Sequence, residues 1–280
     1  MMKLKYSLKV VILMAVCSFS FCSSSDTNKN LTKDIKEDNK ENLLRLKKSD
    51  SQISNQDNFT PLMVASEAGN VANVNLLIKK GIDVNSSDAG GWTALMYASD
   101  TGNDEIVKIL LENGANINAI DNWGMTALKL SSMKGHYNVA KILLSFGADT
   151  SIKDDGGDTA LVNATICGHN KIVQLLIEKG ADVDARETSD GYLGKTALMY
   201  ASELNNITIV TMLINKNANM DLQDFAGKTA LMYAAIKGNI DVVKVLLVKG
   251  ASKNIKDKNG KTASVYAQDN KNEDVYLLLR

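Results

Sequence analysis

A period of 33 residues restricts what this chain can fold into more than any other feature. Thr60, Thr93, Thr126, Thr159, Thr196, Thr229 and Thr262 each open a similar block, at spacings of 33, 33, 33, 37, 33 and 33. Self-similarity at that length signals stacked supersecondary units, none of which can bury its apolar face alone. The one long interval carries a four-residue insertion between Glu187 and Gly194.

The glycines keep the same beat. Sixteen of the 19 fall two residues before the Thr, nine after it or twenty-one after it. Most departures from this rule are Asn (Asn58, Asn205, Asn217), and Lys271 is the exception. Gly and then Asn best tolerate the left-handed backbone that ends a helix, so the spacing predicts helix stops. Each Thr is placed to cap a first helix through its hydroxyl, with Ala, or once Pro61, at the first helical position. A second helix follows with a wide apolar set such as Ile106, Val107, Ile109, Leu110 and Leu111, suited to burial between neighbours. Next come Asp121-Asn122-Trp123-Gly124, Asp224-Phe225-Ala226-Gly227 and Asp257-Lys258-Asn259-Gly260, which suit type I β-turns. The expected fold is all-α, with a turn and two antiparallel helices per unit.

At these residues the chain resembles the ankyrin-repeat family. The block from Asp224 through Thr229-Ala-Leu-Met-Tyr-Ala-Ala to Gly238-Asn and Val242-Val-Lys-Val-Leu-Leu-Val-Lys-Gly-Ala carries the likeness, which spans residues 57–280 as seven in-phase blocks. The resemblance implies an ankyrin solenoid. Where the family favours His after the Leu of its turn, this chain has Met63, Met96, Lys129, Val162, Met199, Met232 and Val265. The His hydrogen bonds that stiffen the family's turns are therefore expected to be missing. Residues 43–56 read as a degenerate N-terminal cap. The seventh repeat, with Ser264 for the usual Leu, reads as a truncated C-terminal cap with a polar outer face.

Ahead of the repeats, Lys3, Lys5 and Lys9 precede an apolar run over residues 10–21 that is too short to span a bilayer. Residues 1–22 read as an export signal and 23–42 as a polar tether. The segment resembles a bacterial lipoprotein signal with Cys22 as the lipidation candidate, although Phe21 and Phe19 stand where that family prefers a small residue and a leucine. Cleavage without lipidation is the other reading, and both stay open. The expected location is the bacterial periplasm or cell envelope, lipid-anchored, or the exterior, with any membrane attachment made through the acyl chains.

Composition and spacing argue against several chemistries. Thirty-two basic residues balance 32 acidic ones, so counterion release gives no drive toward nucleic acid. His136 and His169 hold the same place in successive repeats, about 8–10 Å apart by helix packing, too far to share a zinc ion. Asp88, Asp121, Asp154, Glu187, Asp224 and Asp257 read as turn-initiating acids, and the alternating spacing of a calcium loop is absent. Cys167 has no assignable base and reads as a buried or half-exposed thiol. The sequence offers no nucleophile elbow, phosphate loop or paired Cys motif. The expectation is a monomeric protein that is not an enzyme and holds no cofactor or metal.

The ankyrin resemblance implies that a partner protein is gripped by turn tips and inner helices. The positions it points to hold Phe59, Trp92, Trp123, Met125, Met133, Ile166, Tyr192, Leu193, Leu204, Phe225 and Ile236. Tyr97, Tyr200, Tyr233 and Tyr266 form a second ladder four residues after the Thr, with packing between repeats as their plainer role. Exposed aromatic side chains at such tips suit binding anchors. Three roles fit: an interaction module of the cell envelope, an accessory protein that supports an exported redox enzyme, or a secreted effector acting on host proteins.

Overall fold

The computed structural model describes residues 58–188 and 193–280. The signal (1–22), tether (23–42), N-terminal cap (43–56), Cys22 and Tyr192 lie outside the described residues. Among those described there are fourteen helices and no strand, with an isolated antiparallel bridge between Ser87 and Thr93. They form two compact units, residues 58–152 and 153–280.

The first unit holds three helix pairs: α1 (Pro61–Glu67) with α2 (Val71–Lys79), α3 (Ala94–Thr101) with α4 (Asp104–Glu112), and α5 (Ala127–Lys134) with α6 (Tyr137–Ser145). Helices α1, α3 and α5 pack side by side in one row, and α2, α4 and α6 in another. The second unit repeats the plan four times: α7 (Ala160–Ile166) with α8 (Asn170–Glu178), α9 (Ala197–Glu203) with α10 (Ile207–Asn215), α11 (Ala230–Lys237) with α12 (Ile240–Val248), and α13 (Ala263–Asp269) with α14 (Glu273–Leu279).

Local chemistry sets the helix ends. Every Thr Oγ1 accepts the backbone N–H three residues on, at 3.2–3.5 Å, satisfying a donor that the first turn leaves orphaned. All sixteen periodic glycines, the three substituting asparagines and Lys271 have φ between 58° and 97°. Lys271 thus bears a left-handed conformation that costs an ordinary side chain about 1–2 kcal/mol. At Gly227 the demand is steric as well, because a Cβ there would meet the Lys258 backbone nitrogen at 2.7 Å.

That close approach joins successive turns. Lys258 N–H donates to Ala226 O at 3.0 Å, Asn122 N–H to Gly90 O at 3.0 Å, and Phe225 N–H to Leu193 O at 2.7 Å. A second lock sits at the start of four of the second helices. Asn103, Asn239 and Asn272 each donate a side-chain N–H to a carbonyl near the end of the preceding repeat's first helix, at 2.8 Å. His136 fills the equivalent place, its Nε2 2.9 Å from Asp100 O. The imidazole is therefore a repeat-to-repeat strut.

Small residues let the first helices approach each other. Ala65, Ala98, Ala201 and Ala234 are fully buried five residues after the Thr, with Leu95, Leu198 and Leu231 packed beside them. The second helices contribute Val74, Leu77, Ile106, Val107, Leu110, Ile209, Val210, Leu213, Val242, Val243 and Leu246. The last repeat departs from expectation: Val265, Leu277 and Leu278 are exposed, so its outer face is less polar than Ser264 suggested. Val265 keeps the stacking character of Met96 and Met232, which are buried at the same position.

One row is polar without compensation. Ser66, Ser99 and Ser202 are fully buried six residues after the Thr, and their hydroxyls make no hydrogen bond. Ala235 stands at the same place in the α11 repeat. An unpaired buried hydroxyl costs about 1–3 kcal/mol, so Ser99→Ala and Ser202→Ala should each stabilise the protein by about 1 kcal/mol, read as a higher denaturant midpoint. An unchanged or lower midpoint would show that these hydroxyls are satisfied.

Candidate interaction surface

The turn tips are held from below by their acids. In each of five turns the N–H of the fourth residue, a glycine, donates to the carbonyl of the first, at 2.7–3.1 Å (Gly91, Gly124, Gly157, Gly227, Gly260). Asp88 Oδ1 also accepts the N–H groups of Gly90 and Trp92 at 2.9 and 2.8 Å, and Asp224 and Asp257 do the same in their own turns. The second carboxylate oxygen reaches the inner helix. Tyr97 Oη donates to Asp88 Oδ2 at 2.6 Å, Tyr200 to Glu187 Oε1 at 2.5 Å, Tyr233 to Asp224 Oδ2 at 2.6 Å, and Tyr266 to Asp257 Oδ2 at 2.5 Å. Each phenol bolts a tip to the helix behind it. Charge-assisted bonds of this length are the strong ones.

Two carboxylates show how the balance of forces varies. Burial pushes Asp257 up, but the Tyr266 hydroxyl and the Lys261 and Asn259 N–H groups outweigh it and hold the acid below its ordinary range. Leu130 stands where Asp121 would find a tyrosine. Burial therefore dominates at Asp121 and raises its carboxyl, against the Met125 and Trp123 N–H groups and the Trp92 side chain.

In the first unit this scaffold gathers an aromatic cluster. The Phe59 ring stands edge-on to Tyr97 at 5.2 Å, and Trp92 packs on the same tyrosine at 5.0 Å. Trp92 and Trp123 flank Gly90, where a Cβ would meet both rings at 3.8 Å. Trp123 is 59% exposed, Phe59 and Trp92 are half-buried, and Met125 is half-buried beside Trp123. In the second unit Phe225 is 47% exposed and lies over Gly194, with half-buried Leu193 in the turn before it. Leu204 and Ile236 are half-buried at the far ends of their inner helices.

The pattern of blocks given in the sequence is matched by the family described as ankyrin repeats (3 copies), over residues 35–121, 119–187, 155–224 and 198–280. The chain belongs to the ankyrin-repeat family. It is similar to the ankyrin repeat domain of Bcl-3, a member of the IkappaB protein family, at 30% identity and a TM-score of 0.72, over 80% of this chain and 100% of that one. The comparison with curated protein sequences gave no match. The ankyrin fold is a non-enzymatic scaffold for protein–protein interaction.

The geometry of this ankyrin array corrects one expectation. Met133 and Ile166, assigned to the contact surface, are buried at 7% and 3% exposure and offer a partner nothing. At this end of the inner helix these two apolar side chains turn into the stack, whereas Ile236 in the same register is half-buried and Glu67, Asp100, Glu203 and Asp269 stay in reach of water. Histidine is absent from the turns, as the sequence has it, and tyrosine–acid pairs brace four of the repeats instead.

The sequence reading missed Lys195. It is 5% exposed, its Nζ lies 2.5 Å from Glu203 Oε2, and it sits over the Tyr233 and Tyr200 rings at 4.0 and 4.7 Å. Burial lowers its pKa from the ordinary lysine value, and Glu203 opposes the shift. The signal was present in the repeated Lys-Thr pairs at 195, 228 and 261, two of them followed eight residues on by an acid.

Tyr200 and Tyr233 have pKa values raised well above that of a free phenol, first by burial and then by Glu187 and Asp224. The unfolded chain releases these protons above about pH 10 and the folded chain keeps them, so stability falls as pH rises beyond that point. The slope is about 1.4 kcal/mol per pH unit for each phenol. Lys195 has the opposite sign, favouring the fold as pH approaches about 10.4 and adding nothing further beyond it. Thermal midpoints measured across this range should drop steeply above about pH 10, and the Tyr200→Phe/Tyr233→Phe double variant should show a shallower drop. Parallel curves would contradict the assignment.

Proposed function

We propose that this protein is an exported, lipid-tethered ankyrin module that binds another protein non-covalently through its turn tips. The supporting observation is Trp123, a large indole left 59% exposed on a turn that Asp121 Oδ1 closes by accepting the Trp123 and Met125 N–H groups, with Trp92 across Gly90. Tryptophan held rigid at a surface loses little freedom on binding and is the residue most enriched among binding hot spots. The neighbouring half-buried rings would exclude water around it.

Trp92 packs on Tyr97, so its removal would mix folding with binding, and Trp123 is the cleaner probe. Trp123→Ala should weaken partner capture by about 2 kcal/mol or more, roughly thirtyfold, with helical content unchanged. Capture at wild-type strength would remove Trp123 as the anchor.

Tethering rests on the signal-like segment ahead of the repeats. Two acyl chains hold a protein at a membrane where one does so marginally. Intact mass of the mature protein should give a chain that begins at a diacylated Cys22. A mass for an unmodified chain would assign it to the soluble phase of its compartment.

A further inference from the structure

Three repeats of the second unit place a lysine just before the capping threonine: Lys195, Lys228 and Lys261. Two are closed by the acid eight residues on. Lys195 Nζ meets Glu203 Oε2 at 2.5 Å, and Lys261 Nζ meets Asp269 Oδ2 at 2.6 Å. Between them, Lys228 has Ile236 at that place. No carboxylate of the described residues lies within 4 Å of the Lys228 ammonium, whose contact is the Tyr266 ring with its centroid at 5.7 Å. Glu203 cannot serve it as a substitute, because its oxygens face Lys195 and Lys237.

The surroundings favour an anion with an apolar neighbour. Residues 224–261 hold eight lysines against three aspartates, a local surplus of five positive charges in a chain whose total is zero. Asp224 and Asp257 are buried, with their oxygens turned to backbone N–H groups and tyrosine hydroxyls, whereas Lys256 and Lys258 are exposed. Phe225 lies on Gly194, where a Cβ would come within 2.8 Å of its ring, so it forms a platform and does not project as a wedge. A platform suits a side chain laid across it, while insertion among acyl chains needs a projecting group.

We propose that Lys228 is the docking point for an aspartate or glutamate side chain of a partner protein, with the partner's adjacent apolar residue resting on Phe225 and Ile236. The partner's carboxylate supplies from outside what Glu203 and Asp269 supply from within in the flanking repeats. This rests on the protein-binding reading and adds to it a partner chemistry: an acidic, partly apolar segment.

The test uses the full chain and a fluorescein-labelled peptide of glutamate and leucine, followed by fluorescence anisotropy. The peptide should bind. Lys228→Gln should weaken binding about fivefold, the size of one partly exposed ion pair. Ile236→Glu, which supplies the missing acid in cis, should weaken it at least as much while circular dichroism stays unchanged. Lys261→Gln, whose ammonium is already occupied, should have less than a twofold effect. The proposal is overturned by equal binding of a glutamine–leucine peptide, by equal losses in the Lys228 and Lys261 variants, or by no binding at all. Sedimentation with phosphatidylglycerol vesicles in place of peptide binding would overturn it in favour of a membrane surface. Partner capture that is lost in Trp123→Ala but survives Lys228→Gln would also overturn it, and would leave the protein-binding reading standing.

Discussion

The carboxylate that opens each turn is the hinge of this structure. One oxygen gathers backbone N–H groups of the tip and closes the turn, and in four repeats the other holds a phenol from the inner helix. A surface loop that would otherwise be free to splay is thereby fixed to a helix whose own start is fixed by threonine. The aromatic groups at the tips inherit this order. Phe225 sits on a turn held by both oxygens of Asp224, whereas the turn under Trp123 is closed by Asp121 Oδ1 without a phenol behind it.

Much of this was legible in the chain. The positions of Gly91, Gly102 and Gly114 and their counterparts mark every left-handed residue, because that conformation is a property of single residues and leaves a trace in residue type. Burial is harder to read. Met133, Ile166 and Ile236 share a register with Glu67 and Asp100, and only packing decides that the first two fold inward while Ile236 stays half-buried. The tyrosine ladder was visible as a ladder, but its bonding was not: Asp88 and Tyr97 are nine residues apart, and nothing local states that a helix start brings them within 2.6 Å. Lys195 was missed for the same reason, since its cage of Glu203, Tyr200 and Tyr233 draws on two repeats.

A formal charge of zero conceals uneven distribution. The turns at Asp224 and Asp257 keep those acids underneath, with Lys256 and Lys258 outside, so the charge a partner meets there differs from the charge the composition counts. The first unit has tryptophans in the corresponding turns and no such surplus of lysine there. The two units thus offer different chemistries on one scaffold.

The struts from Asn103, His136, Asn239 and Asn272 each span 36 or 37 residues, just over one period, and reach only the repeat before. No side chain in this set bridges farther. Bonding of this range is confined to one junction at a time, so excising or duplicating one whole period between such struts recreates the junction on either side. A lineage of such chains can therefore lengthen or shorten its contact surface in whole-repeat increments, while a loss of a fraction of a period would put every later strut out of step.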